Sequence, residues 1–394
     1  MRDYYDLFSK VVRDVKPSGI RRFFGIAAEI PDVISLGVGE PDFATPLSVR
    51  QAGITSLEAG QTTYTANAGI RELQQSISAY LKRRFDMHYN PDQALVTVGG
   101  SEGIDLAIRA FVEPGDEVLI PEPCFVAFDA LVRFNNGIPV PIVTKAEDEF
   151  RLTPEALRAA ITPKTKMLIF SYPTNPTGGV MRREHMEEIA AVLRETDIIV
   201  LSDEIYAEFT YAGDEHVSIS TLPGMYERTI LVGGFSKAYA MTGWRLGYVC
   251  APQPITDMMG RIHQYALMCA PTTSQNAAIE ALKPHNDAEV AKMREAYDQR
   301  RKMMVTRLNA MGLTCFDPHG AFYLFPSIQS TGMTSMEFCE ALLNAKKVAL
   351  IPGNAFGACG EGYVRICYCY SIEHLTEAMD RTEQFLKEIR HPRQ

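Results

Sequence analysis

Between residues 94 and 252 the chain repeats one pattern: a short apolar run, a turn of glycine or proline, then an amphipathic stretch. The runs are "ALVTV" (94–98), "EVLIP" (117–121), "IPVPIV" (138–143), "KMLIFSY" (166–172), "DIIVLSD" (197–203), "TILVGG" (229–234) and "GYVCA" (247–251). Between them, "SEGIDLAIRAFV" and "REHMEEIAAVLRE" place apolar residues three and four apart, the helical period. Strands joined by helical crossovers pair in parallel and need cover on both faces. The expectation is a large α/β domain with a mostly parallel sheet between two helical layers. After about residue 280 the pattern changes. Long charged helical text ("DAEVAKMREAYDQRRKMMVTRLNAM") leads to short strands in "GAFYLFP" and "YVRICYCY" and a last helix from about 373. A chain of 394 residues exceeds one compact core. The expected organisation is an arm and part of a small domain at 1–45, a large ligand-binding domain at 46–280, and a smaller α+β domain at 281–394.

In open α/β sheets ligands bind at the carboxyl edge of the strands, so the residues just past each run carry the functional signal. "GFSKAYAMTGWRLG" (234–247) puts Lys237 directly after one strand and Arg245 eight positions later. Alone, such a pair is most often a solvated loop. Here Phe235, Ala238, Tyr239 and Met241 crowd the lysine, and poor hydration moves a lysine toward a nucleophilic free amine. Arg245 keeps its charge and offers a planar fork for phosphate or carboxylate. The other strand ends carry matching groups. "VTVGGSEG" opens a helix at Ser101 behind two glycines, where backbone N–H groups suit a phosphate. "FSYPTNPTGG" presents Asn175 between prolines. "VLSDEIY" delivers Asp203 at a strand end with Tyr206 three residues on; by itself Asp203 would read as a helix cap. Together these features point to an anionic, carbonyl-bearing small molecule.

A net charge of −9 gives no basic face for nucleic acid. No run reaches the roughly 18 to 20 apolar residues of a membrane span, and the amino-terminal segment lacks the apolar centre of a secretory signal. The expected location is the cytoplasm. Eight cysteines are scattered, and eight histidines show no metal spacing, so no metal site is expected. Cys367 and Cys369, two apart in an alternating run, are expected to face one side as core residues.

These motifs together resemble the pyridoxal-phosphate aminotransferases of fold type I, class I. The likeness runs from "GEPDF" (39–43) through "YTANAGIRELQ", "NPTGG", "SDEIY" and "SKAYAMTGWRLGY" to "GAFYLFP" and "YVRI". "EDEFRLTPEALRAAITPKTK" and "AMTGWRLGYV" are especially similar to the prokaryotic aspartate and aromatic members. The resemblance implies that Lys237 forms a Schiff base with the cofactor aldehyde and carries the proton at the substrate Cα. It places Asp203 against the pyridine nitrogen, Asn175 and Tyr206 on the phenolic oxygen, and Phe125 on the ring face. It assigns the phosphate to the backbone of Gly100, Ser101 and Glu102, to Ser236 and to Arg245, with Tyr64 reaching in from a second copy of the chain. It assigns the substrate carboxylate to Arg365, with Gly39 and Asn175 beside it. Gly234 stands where some relatives have a phosphate-binding serine.

In acidic-specific relatives a lysine follows the paired glycines; here it is Ser101. With Phe23, Phe24, Tyr64 and Phe322 as an apolar wall, the expected activity is transfer of an amino group between an aromatic or broad range of L-amino acids and a 2-oxo acid such as 2-oxoglutarate, in a homodimer with shared sites. Two rivals stay open: a pyridoxal-phosphate C–S β-lyase on the same scaffold and an aspartate-preferring aminotransferase. A cofactor-binding regulator is disfavoured because it would need a winged-helix segment for which the short amino-terminal arm leaves no room. A nicotinamide dehydrogenase is disfavoured because no GxGxxG follows an early strand.

Overall fold

The computed structural model describes residues 4–15 and 30–390. At its centre is a seven-stranded sheet of β2 (Ala94–Thr97), β3 (Glu117–Glu122), β4 (Ile138–Val143), β5 (Thr165–Ser171), β6 (Ile199–Asp203), β7 (Thr229–Gly234) and β8 (Gly247–Cys250). Their order across the sheet is β2-β8-β7-β6-β5-β3-β4, and β8 alone runs against its neighbours. Every run of the alternating pattern is therefore a strand, with ends within two residues of the sequence reading.

Side-chain alternation explains the two helical layers. Val118, Ile120, Met167, Ile169, Leu201, Ile230 and Val232 face the helices Gly100–Phe111, Ala127–Phe134 and Gln253–Ala266. Leu119, Leu168, Phe170 and Val200, one residue out of phase, face the helix Arg183–Leu193. Farther along, Leu231, Tyr248 and Cys250 pack against the helices Arg71–Phe85 and Thr272–Ala281. A strand buried on both sides has no polar face, which is why these runs read as continuously apolar.

A second core gathers the helices Asp287–Ala310, Ser335–Lys346 and Ile372–Arg390. Around them lies a three-stranded antiparallel sheet, β11 (Ile351–Pro352), β12 (Val364–Cys367) and β9 (Tyr323–Leu324). The amino-terminal segment joins this core. β1 (Ile34–Ser35) pairs in parallel with β10 (Val348–Ala349), and the Cys367 amide donates to the Leu36 carbonyl at 2.7 Å. Cys367 and Cys369 are both fully buried in this core. Among the described residues, no helix is long and apolar enough to cross a membrane and no cluster of His, Cys, Asp or Glu could hold a metal ion.

Candidate active site

The carboxyl ends of β2, β3, β5, β6 and β7 open on one edge of the large sheet. Because β8 is reversed, its first residue lies on that same edge, with Gly247 opposite both Thr97 and Gly234. That reversal carries Arg245, two residues upstream, to the rim with Lys237. The segment 37–39, Tyr323, Phe356 and Arg365 close over the edge from the second core. The space between is a cavity of about 730 Å³, within the usual size of a small-molecule site.

The sequence-derived residues converge there. Gly39, Gly100, Ser101, Phe125, Asn175, Asp203, Tyr206, Ser236, Lys237, Arg245 and Arg365 all line the cavity. Lys237 Nζ donates to the Gly39 carbonyl at 2.6 Å and lies 5.7 Å from the Phe322 ring centroid and 6.0 Å from that of Tyr206. The side chain stays partly open to the cavity, yet crowding by its neighbours holds its pKa below that of an ordinary lysine, and the Arg365 guanidinium adds to the lowering. Asp203, at the end of β6, is the one carboxylate in the lining among the described residues. Burial pushes its pKa up to about 6, opposed by the Ile205 amide and Lys237; that amide donates to it at 3.2 Å.

Arg365 is 4 % exposed. Its Nη1 donates to Asn175 Oδ1 at 2.9 Å, and Nη2 donates to the Gly37 carbonyl. Among the described residues its Nε is buried without a partner, and no carboxylate pairs with its charge. Such a guanidinium is costly unless an anion joins it. On the opposite side of the cavity, Gly99 precedes the helix Gly100–Phe111 with φ of 77°, a conformation that favours glycine. A Cβ on Gly99 would lie 2.7 Å from Arg245 Nη2, so this glycine lets the guanidinium close on the helix's free N–H groups.

These features fit pyridoxal phosphate. A crowded amine faces an almost unpartnered carboxylate, a helix amino end beside an arginine suits the phosphate, and a second arginine is left short of an anion. One sequence expectation comes out differently. Phe322 is fully buried behind the cavity, against Tyr206 and Phe209; its neighbour Tyr323 is the one that lines the cavity. Glu102, expected to offer its backbone N–H, lies in the first turn of the helix Gly100–Phe111, and its side chain turns away from the cavity, accepting from the Val98 amide at 2.5 Å and pairing with His263 at 2.6 Å. Tyr64 is 79 % exposed and does not line its own chain's cavity. Phe23 and Phe24 lie outside the described residues. Residues the sequence reading passed over are Tyr323, Phe356, Ser171 and Val15.

Residues 31–381 match the family model for aminotransferase class I and II. A Bacillus subtilis protein, YugH, named as an aminotransferase with no substrate in its name, is 55 % identical over 379 residues, spanning 96 % of this chain and 98 % of its own. An aspartate aminotransferase of Pyrococcus abyssi is 47 % identical over 376 residues, or 95 % of this chain and 97 % of its own. The crystal structure of an aromatic aminotransferase from Pyrococcus horikoshii superposes with a TM-score of 0.89 at 44 % identity, covering 94 % of this chain and 99 % of that one.

Proposed function

The chain belongs to the class I and II aminotransferases and uses pyridoxal phosphate, and we propose that it moves the amino group of aromatic or a broad range of L-amino acids to a 2-oxo acid such as 2-oxoglutarate. The observation that carries the preference is the lining of the cavity. Among the described residues its cations are Lys237, Arg245 and Arg365, and each has a task. Part of that wall is apolar: Val15, Ile104, Phe125, Val126, Ala130 and Phe356. That leaves aromatic side chains a surface to bury.

Lys237 Nζ would hold the cofactor covalently, and Asp203 would face its ring nitrogen as a carboxylate. Tyr206 and Asn175 would donate to its phenolic oxygen, with Phe125 against the ring face. The backbone of Gly100, Ser101 and Glu102, with Ser236 and Arg245, would take its phosphate. When bound, the cofactor supplies an electron sink for charge left on the substrate Cα. Arg365 would grip the substrate carboxylate through its fork, fixing the plane of the amino acid so that its Cα–H bond points toward Lys237. Lys237, its pKa lowered by burial, would take the proton from Cα and hand it back. Gly39, whose carbonyl holds that amine, keeps it aimed across the cavity.

The residues of 46–280 would form the cofactor domain, and 281–394 with the arm would form the domain that closes over substrate. Exposed Leu47, Ile54, Leu57, Tyr265, Leu267 and Met268 support a dimer face, across which Tyr64 would reach the phosphate of the second subunit. Light scattering at nanomolar concentration checks the dimer, and a fully active monomer would refute it. Steady-state rates with phenylalanine, tyrosine, aspartate, alanine and kynurenine, each with 2-oxoglutarate, test the preference. Aspartate ahead of both aromatics by about a hundredfold, some 2.7 kcal/mol in the barrier, would overturn it.

A further inference from the structure

Tyr323 stands between the two halves of the site and takes part in both. Its ring faces the Arg365 guanidinium, with Cζ 4.6 Å from the ring centroid, and Phe356 lies 4.8 Å away from the same carbon. Its hydroxyl lies 2.8 Å from the Tyr206 hydroxyl. The residue is 1 % exposed, and its hydroxyl fills the space where a Cβ on Gly39 would sit. Gly39 is in turn the residue whose carbonyl holds Lys237. One side chain therefore touches the arginine, the phenol and the glycine of the proposed site.

We propose that Tyr323 is a positioning residue of the reaction: its ring holds the plane of the Arg365 guanidinium, and its hydroxyl donates to Tyr206 so that Tyr206 donates toward the cofactor. The inference rests on the reading that Arg365 takes the substrate carboxylate and Tyr206 the cofactor's phenolic oxygen. The direction of the relay follows from counting protons. Burial raises the pKa of both phenols above that of ordinary tyrosine, so each keeps its one proton near neutral pH. Once Tyr206 directs its proton at the phenolic oxygen, the contact between the hydroxyls can be made only by the proton of Tyr323. A hydroxyl that accepts one hydrogen bond donates the next more strongly. A guanidinium packed on aromatic faces gains cation–π attraction and loses freedom to rotate.

A stronger donor on the phenolic oxygen makes that oxygen a poorer partner for the proton on the adjacent lysine-derived nitrogen, so that proton leaves at lower pH. The test is therefore the pH titration of visible absorbance of the protein reconstituted with pyridoxal phosphate. Tyr323→Phe keeps the ring and removes the relay. It should melt at the wild-type temperature, shift the absorbance midpoint upward by roughly 0.3 to 1 unit, and lower kcat severalfold with KM within about twofold for the fastest of the five amino acids. Tyr206→Phe should shift the midpoint further, and Tyr206→Phe/Tyr323→Phe should add nothing, because the second hydroxyl acts through the first. Tyr323→Leu should raise KM by roughly tenfold through a loosened Arg365. An unshifted Tyr323→Phe titration, or an equal shift in the Tyr206→Phe background, overturns the relay. An unchanged KM in Tyr323→Leu overturns the role of the ring. If wild type shows no visible band, or Lys237→Ala keeps the wild-type band, the functional reading itself fails and this inference falls with it.

Discussion

Asp203 and Glu204 are consecutive acids at the end of β6, both 6 % exposed, and they face opposite sides of the sheet. Asp203, in front, has one backbone donor and a pKa raised by burial to about 6. Glu204, behind, accepts from Ser202 at 2.8 Å and Ser218 at 2.6 Å and pairs with His216 at 2.6 Å. Farther back, Glu208 is satisfied in the same way by Tyr80 at 2.8 Å and by both arms of Arg84. Buried charge behind the sheet is thus fully partnered. In front of it, Lys237, Asp203 and the Arg365 Nε are left short. Burying an ionisable group without partners costs the folded chain free energy, so the front of the sheet marks where a ligand completes the structure and the back marks where the chain completes itself.

The largest break of that contrast is Lys237→Ala, expected to cut kcat by at least roughly 10⁴-fold while leaving the melting temperature of the cofactor-free protein unchanged or higher. Single-turnover rates and thermal melts measure both. Asp203→Asn follows, with a loss of roughly 10² to 10³ in kcat and no loss of cofactor-free stability, since a neutral amide replaces a costly charge. Glu204→Ala should do the reverse. It leaves His216 and Ser202 unpartnered and Ser218 with Ser220 alone, lowers unfolding free energy by about 3 kcal/mol in denaturant titrations, and leaves the per-site rate of folded enzyme within severalfold of wild type.

The smallest effect is a pH dependence. With its pKa raised above that of an unfolded aspartate, Asp203 contributes stability to the cofactor-free fold that is full below about pH 4 and lost as pH rises through about 6. A cationic ring nitrogen favours the ionised carboxylate, so the rise in melting temperature caused by pyridoxal phosphate should be larger at pH 7 than at pH 5, by a few degrees. In Asp203→Asn that difference should shrink.

The front of the sheet was legible in the sequence because its residues follow strands that announce themselves, apolar and β-branched runs stopped by glycine or proline. Lys237, Asp203, Asn175 and Ser101 could be placed at one rim from that pattern. The wall contributed by the second core was not, since its strands are two to four residues long and period-two alternation needs a longer run to set its phase. Hence Phe322 and Tyr323 exchanged places, and within "GAFYLFP" the tyrosine that lines the cavity looked like one more aromatic of the core. Arg365 was reached through the family resemblance, because an arginine on a short strand carries no local sign of its missing partner. The back network escaped for another reason: His216 meets Glu204 from twelve positions farther along the chain, and nothing in the spacing records where a loop returns.

The pairing of β1 with β10 has a consequence for how the molecule is made. Residue 34 must wait for residue 348 to emerge before it finds its strand partner, a delay of roughly 15 to 60 s at about 5 to 20 residues per second of synthesis. During that interval the sheet with Lys237 and Asp203 can be assembled while the strip 37–39, which supplies the Gly39 carbonyl to Lys237 and the Gly37 carbonyl to Arg365, is still unanchored. The wall around Lys237 and Asp203 can therefore take shape before the wall around Arg365 does, and the segments 34–39 and 348–365 close the cleft together.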